Sequence, residues 1–294
     1  MPMLNHVIDL HTHTRYSDGS ATPDELIRLA ASEGARAVAI TDHDTINGLP
    51  EGRDAAARAG VEFINGIEIS AEYSPGTMHI LGYYIDDRSP LLAEQLTLLK
   101  RARDDRNPEI ARRLQSLGFD IDYMDVAGLA GNEIVGRPHF ARLMVERGYA
   151  MSIKDAFDRF LAKGAAAYVE KARLSPKDAI GLIHQSGGVA VLAHPYQLRL
   201  ETKDEIDHLV GELADLGLDG IEAIYSRHSD AERLEYTHLA RRYGLLVTGG
   251  SDYHGSYKPD IRLVRGTGDL GVPYSLLPEI KERAARHSKR LGLN

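Results

Sequence analysis

Seven short apolar runs, most of them β-branched and each bearing or closely followed by a histidine or a carboxylate, constrain the fold of this chain more than any other feature. They are Val7 to Leu10, Ala37 to Ile40, Val61 to Ile69, Met78 to Ile85, Val189 to Leu192, Gly220 to Ile224 and Leu245 to Val247. Their apolar residues are near-continuous rather than alternating, as in strands buried on both faces of a parallel sheet. Amphipathic segments separate them. Thr22 to Ser32 opens with Thr22-Pro23-Asp24-Glu25, which supplies an N-cap, a proline at the first helical position and first-turn acids. Gly48 to Ala59, Ser175 to Gln185, Lys203 to Leu216 and Asp230 to Tyr243 read in the same way. This alternation predicts a barrel or a doubly wound α/β sheet.

One stretch interrupts it. From about Asp86 to Tyr168 the pattern is helical, in four segments with Gly, Pro and Asn-rich joints, which predicts an all-helical insertion between the fourth and fifth strands. The expected division is residues 1–85 with 171–294 for the barrel and 86–170 for the insertion. The C-terminal KERAARHSKRLGLN reads as an exposed final helix with a loose end.

Composition narrows the chemistry. The 294 residues, 43% of them apolar, suffice for a sizeable core. A formal charge of -8 argues against a surface that coats long nucleic acids. With no cysteine, disulfides, thiolate metal clusters and cysteine nucleophiles are excluded, so any metal is held by imidazole, carboxylate and water. The N-terminus lacks a signal-peptide pattern and no apolar run approaches the roughly 18 residues of a membrane span, so a cytoplasmic protein without membrane contact is expected.

Polar residues gather at the predicted strand ends, where α/β sheets and barrels build their sites. The first strand ends in Asp9-Leu10-His11-Thr12-His13, whose alternate residues His11 and His13 point the same way in an extended chain. Asp18 follows in a turn. The second run ends in Thr41-Asp42-His43-Asp44, the third carries Glu68 and the fourth His79. The fifth ends in His194-Pro195, the sixth in Arg227-His228, and the seventh in Ser251-Asp252-Tyr253-His254. Each piece has an ordinary explanation: Asp42 as a turn cap, Ser251-Asp252 as a helix start, Glu68 as a carboxylate paired with arginine. Their joint placement does not, because burying so many ionisable groups at one rim costs several kcal/mol unless cations coordinate them. His6, His184, His208, His238 and His287 fall outside the pattern and read as surface or packing residues.

Taken in order, His11-Thr12-His13, Thr41-Asp42-His43, Glu68, His79, His194-Pro195 and Ser251-Asp252-Tyr253-His254 resemble the motifs of the PHP (polymerase and histidinol phosphatase) family, relatives of the amidohydrolase superfamily. The resemblance covers roughly residues 4 to 85 and 172 to 294. It implies a distorted seven-stranded (β/α) barrel of the TIM type and two or three divalent ions, with manganese, iron or zinc as candidates. His11, His13, Glu68 and Asp252 are then expected on the first ion. Glu68 would bridge to a second held by His79 and His194, and Asp18, His43 and His254 would hold a third. The helical insertion is similar to that of the subgroup acting on nucleotides and short oligonucleotides. The implied activity is hydrolysis of a phosphomonoester, foremost the 3′-phosphate of a 3′,5′-bisphosphonucleotide. Histidinol phosphate, short oligonucleotide 5′ ends and a catalytically silent module are the alternatives. Ions that lower the pKa of bound water to about 7 make a protein nucleophile unnecessary. His228 or His254, beside Asp252, are the expected proton-handling groups. Arg137, His139, Lys171, Arg199, Arg227 and His228 are the candidates for contacting a small phosphorylated substrate.

Overall fold

The structure, a computed structural model, describes residues 7–130, 135–170 and 172–292. Its strands are β1 (Val7–Asp9), β2 (Ala35–Ile40), β3 (Glu62–Ala71), β4 (Met78–Tyr83), β5 (Val189–Leu192), β6 (Gly220–Tyr225), β7 (Leu246–Gly250) and β8 (Val272–Pro273). Helices α1 (Pro23–Ser32), α2 (Leu49–Ala59), α3 (Pro90–Ser116), α4 (Tyr123–Ala130), α5 (Arg137–Glu146), α6 (Ile153–Ala156), α7 (Pro176–Gln185), α8 (Lys203–Asp215), α9 (Asp230–Arg242) and α10 (Leu277–Leu291) complete the order. The helix starts follow their local chemistry. Thr22, Thr202 and Ser229 each cap a helix whose third residue is a glutamate reaching back to the cap.

The sheet runs β7-β6-β5-β4-β3-β2-β1-β8. Beyond β7 and β1 it curls towards closure: Leu10 N donates to Gly249 O at 3.3 Å, and His13 N to Tyr253 O at 2.9 Å. Two features depart from the seven parallel strands expected. The two-residue β8 pairs antiparallel to β1, and β4 runs antiparallel to both β3 and β5. An apolar run buried on both faces has the same composition in either direction, so nothing in Met78 to Ile85 encoded the reversal. The barrel core is filled by Ile8, Leu10, Ile64, Leu81, Tyr83 and Val191, all fully buried.

The chain divides into two compact units, Met1–Glu94 with Arg173–Asn294, and Gln95–Ala172. The second is helical and has its own core, including Ile110, Leu114, Phe140, Met144 and Leu161. One of the Asn- and Pro-containing joints that the helical stretch was expected to have, at Asn107-Pro108, is absent, for α3 continues through Pro108. Asn107 is buried there and its side-chain amide donates to Val135 O at 2.8 Å, while Ile110 and Leu114 bury the following turns. This packing offsets the bond that proline removes. Among the described residues no helix is long and apolar enough to cross a membrane.

The last helix is less loose than its sequence implied. In α10 Leu277, Ile280 and Ala284 are buried, and Arg283 and His287 reach Asp219 ahead of β6 at 3.0 and 3.1 Å. His184 approaches the other oxygen of Asp219 at 2.8 Å, and its ring stacks on His287. Burial alone would raise Asp219, but His184, His287 and the Ala190 N–H hold its carboxyl well below the usual range. A depressed folded pKa contributes stability above the unfolded value near 3.8, and that contribution is lost as pH falls below it. Asp219→Asn is therefore expected to cost about 3 kcal/mol at neutral pH, as for breaking a buried ion pair. Denaturant melts should show the gap to wild type closing as pH drops below 4; a gap that stays constant would exclude this origin.

Candidate metal centre

The strand ends gather the expected residues at one rim of the barrel. His11 and His13 follow β1, His43 follows β2, His194 follows β5, and Asp252 with His254 follows β7. Glu68 lies inside β3, and Asp18 on the loop after β1. His79 is near the start of β4, not its end. The reversed direction of β4 explains this, because its first residues lie opposite the last residues of β3, with His79 paired to Ser70.

Glu68 is the hub. Its Oε2 is 3.2 Å from His11 Nε2, 3.1 Å from His13 Nε2 and 3.2 Å from His43 Nδ1. Its Oε1 is 2.7 Å from His79 Nδ1 and 2.9 Å from His194 Nε2. Five imidazoles thus face one fully buried carboxylate. Asp252 Oδ1 lies 3.3 Å from both His13 Nε2 and His254 Nδ1, and 3.6 Å from His11 Nε2. Asp18 is 3.3 Å from His254 Nε2 and 3.5 Å from His13 Nδ1, with its other oxygen 3.7 Å from His43 Nε2.

Donor atoms within 4.8 Å of one another form four overlapping groups: His11, His13 and Asp252; His11, Glu68 and His194; His43, Glu68 and His79; and His13, Asp18, His43 and His254. All nine expected ligands fall in them, and His11, His13, His43 and Glu68 each belong to two, so the sharing goes beyond the single Glu68 bridge that the resemblance implied.

Protons alone satisfy this cluster poorly. His11 Nε2 and His13 Nε2 face each other at 3.1 Å, where two protonated rings would clash. Burial presses His13 down, yet Asp252 and Glu68 drive it up to about 9. Burial takes neighbouring His43 down to about 3, although Glu68 and Asp18 pull the other way. His194 Nδ1 is buried without a hydrogen-bond partner. Adjacent rings therefore make opposite demands, and a proton serves one nitrogen where a divalent cation serves several donors. The all-nitrogen-and-oxygen donor set fits such cations.

Further buried residues hold the cluster in place. Glu222, fully buried in β6, lies 2.9 and 3.1 Å from His11 Nδ1 and accepts the His194 N–H at 2.9 Å. His11 Nδ1 therefore carries the proton and Nε2 keeps its lone pair for the cluster. A charged residue amid the apolar GIEAIY was the available signal. Asp42 accepts from Thr14 N, Thr14 Oγ1 and Ser17 Oγ at 2.6 to 2.7 Å, so it braces the loop after β1. Asp9 accepts from Ser251 N and Val264 N, both at 2.8 Å. Backbone strain concentrates here as well, with positive φ at Asp44 (53°), His194 (25°) and Asp252 (58°). A Cβ on Gly250 would stand 2.4 Å from His11 Cβ, so only glycine lets β7 pass His11 this closely. Glu222→Gln is expected to weaken ion binding about 10- to 100-fold by releasing the His11 ring. Calorimetric titration with Mn²⁺ measures this, and an unchanged affinity would rule out the orienting role.

The substrate candidates fare differently. Lys171 lies outside the described residues. In the helical unit, Arg137 donates to Leu161 O at 3.1 Å and lies over the Tyr168 ring, and His139 Nδ1 accepts the Gly136 N–H at 3.1 Å as part of a helix cap. These are contacts within that unit. Arg227 pairs with Asp260 at 2.8 Å on the surface. Arg199 is exposed on the turn following His194. His228 is buried; its Nδ1 is 3.0 Å from Ala223 O and its Nε2 has no partner. The proton therefore sits on Nδ1, and Nε2 is an acceptor. Burial also lowers the pKa. This tautomer does not suit the expected donation of a proton from His228 to a leaving alcohol.

Residues 9–238 match the model of the PHP domain. A 3′,5′-nucleoside bisphosphate phosphatase from Chromobacterium violaceum is 36% identical over 248 residues, covering 84% of this chain and 87% of that protein. The 5′-3′ exoribonuclease Rnm of Escherichia coli is 37% identical over 250 residues, covering 84% and 85%. Among solved structures, an amidohydrolase from Chromobacterium violaceum with bound sulfate and no metal superimposes with a TM-score of 0.78 at 32% identity, covering 94% of this chain and 96% of that one. Fold, ordered motifs and sequence similarity agree: this chain belongs to the PHP domain family.

Proposed function

We propose that this protein is a metal-dependent phosphomonoesterase that removes the 3′-phosphate of a 3′,5′-bisphosphonucleotide, leaving a 5′-nucleotide. The observation that carries the reading is the cage around Glu68, in which six imidazoles and three carboxylates from both ends of the chain offer donors at one rim. The similarity to a 3′,5′-nucleoside bisphosphate phosphatase supports the substrate class. His11, His13, Glu68 and Asp252 would hold one ion, Glu68, His79 and His194 a second, and Asp18, His43 and His254 a third, with manganese the proposed metal. When bound, such ions ionise water near neutral pH and offset the charge of a phosphoryl group.

The chain's own residues set the conditions for that chemistry. Glu222 fixes the His11 tautomer, and the buried walls keep bulk water from Glu68. Nine ligands with only three carboxylates leave a locally cationic pocket on an acidic protein once divalent ions are present, which suits a phosphate dianion. His228 Nε2, a bare acceptor at the same rim, is assigned to a substrate hydroxyl. Arg199 is assigned to the second phosphate. The similarity to an exoribonuclease favours short 5′-phosphorylated RNA as a second substrate class.

Release of phosphate from a 3′,5′-bisphosphonucleotide, mononucleotides and histidinol phosphate, and of mononucleotides from short 5′-phosphorylated RNA, all with added Mn²⁺, tests the reading. The highest kcat/KM is expected on the bisphosphonucleotide. Preference for histidinol phosphate would overturn the substrate class, and no release from any of the four would overturn the enzyme itself.

A further inference from the structure

The two oxygens of Asp252 face different surroundings. Oδ1 points at the cluster, within 3.3 to 3.6 Å of ring nitrogens of His11, His13 and His254. Oδ2 accepts the Tyr225 hydroxyl at 2.7 Å and the Lys258 ammonium at 3.0 Å. Tyr225 is the last residue of β6 and is buried, with its ring against those of His11 and His194. Lys258 follows the short 3-10 turn after His254, and its side chain is about one-third exposed. The backbone is held too, since Asp252 N donates to His11 O at 2.8 Å from a left-handed conformation.

A carboxylate beside a divalent ion has a choice. It can rotate to present either oxygen, or turn both to the same ion and chelate it. Two donors already engage Oδ2 here, one neutral and enclosed, the other cationic, so rotation would break two hydrogen bonds and leave a buried phenol unsatisfied. Only Oδ1 is left to the cluster. We propose that Tyr225 and Lys258 are positioning residues that lock Asp252 as a one-oxygen ligand of the ion cluster. The inference rests on the metal-centre reading above and adds two residues to it.

The two donors are separable. Tyr225→Phe removes a hydrogen bond without changing charge or shape. Lys258→Met removes the bond and the charge, whereas Lys258→Arg keeps both. Calorimetric titration of the metal-free proteins with Mn²⁺ should show affinity falling about tenfold for Tyr225→Phe and for Lys258→Met, and further in the double variant, within the range for partners that orient a ligand. Lys258→Arg should stay close to wild type. Far-UV circular dichroism and thermal melts should match wild type, which separates lost positioning from lost folding. Unchanged or tighter binding in Lys258→Met would mean that the lysine merely neutralises charge, and would overturn the proposal, as would unchanged binding in Tyr225→Phe. A wild-type protein that binds no Mn²⁺ would instead refute the metal centre, so the two failures are told apart by the wild-type isotherm.

Discussion

Replacing Glu68 by glutamine is expected to reduce phosphate release about a thousandfold or more and to lower the number of ions bound. Both carboxylate oxygens are committed, Oε2 towards His11, His13 and His43 and Oε1 towards His79 and His194. Three imidazoles and two imidazoles thus meet across one side chain, so in the proposed metal centre the loss would touch two ion positions at once. The amide keeps the shape but removes the charge and turns one acceptor into a donor pointing at ring nitrogens. Losing a single preorganised contact to a reacting group commonly costs about 100- to 1,000-fold, and under the proposed function Glu68 would hold the ions that supply the nucleophile. Glu68→Asp keeps the charge but is one methylene short, so it should retain some ion binding while losing most of kcat. Steady-state kinetics with metal analysis of each variant checks this. Glu68→Gln with a tenth of wild-type activity would be incompatible with Glu68 as the hub.

Stripping the ions should have an effect of similar size on activity and a separate signature in stability. Chelation is expected to bring phosphate release to background, with recovery on adding Mn²⁺. An ion present at a hundred times its Kd adds about 2.7 kcal/mol to the folded state. The stripped protein should also show its own pH dependence. His13 is raised from 6.5 to about 9, so its contribution is complete below 6.5 and is lost as pH rises through 9. His43 is lowered to about 3, so its contribution holds above 6.5 and is lost as pH falls towards 3. The stripped protein should therefore lose stability on the alkaline side of 6.5 through His13 and on the acid side through His43. Ions bound as proposed would displace the His13 proton, so apparent ion affinity should rise with pH up to about 9. Thermal melts with and without chelator across this range test the point, and coincident curves would contradict it.

The clustering of these histidines and carboxylates was legible in the sequence because strand geometry is simple. Alternate residues of an extended chain share a side, so His11-Thr12-His13 announces two imidazoles for one space. The supporting residues were less visible. Glu222 and Asp9 look like isolated charges until the fold shows His11 Nδ1 above one and two backbone N–H groups on the other. Tyr225 and Lys258 carry no motif, and their shared partner lies far from Tyr225 along the chain. Strand direction was illegible too, for an apolar run is the same read either way, and only pairing with β3 and β5 reverses β4. Pro108 read as a joint because local propensity opposes it in a helix, while the burial that overrides it comes from residues distant in sequence. His139 read as a binding residue, and its Nδ1 also caps its own helix, a role that only the fold reveals.

Anomalous diffraction from crystals grown with Mn²⁺, recorded at the manganese edge, locates any ions held around Glu68. Two or three peaks are expected at the barrel rim, the strongest between Glu68 and its surrounding imidazoles, with Asp252 bound through Oδ1. Density without an anomalous peak near Glu68, in protein shown to be folded and saturated with Mn²⁺, would contradict the proposed metal centre.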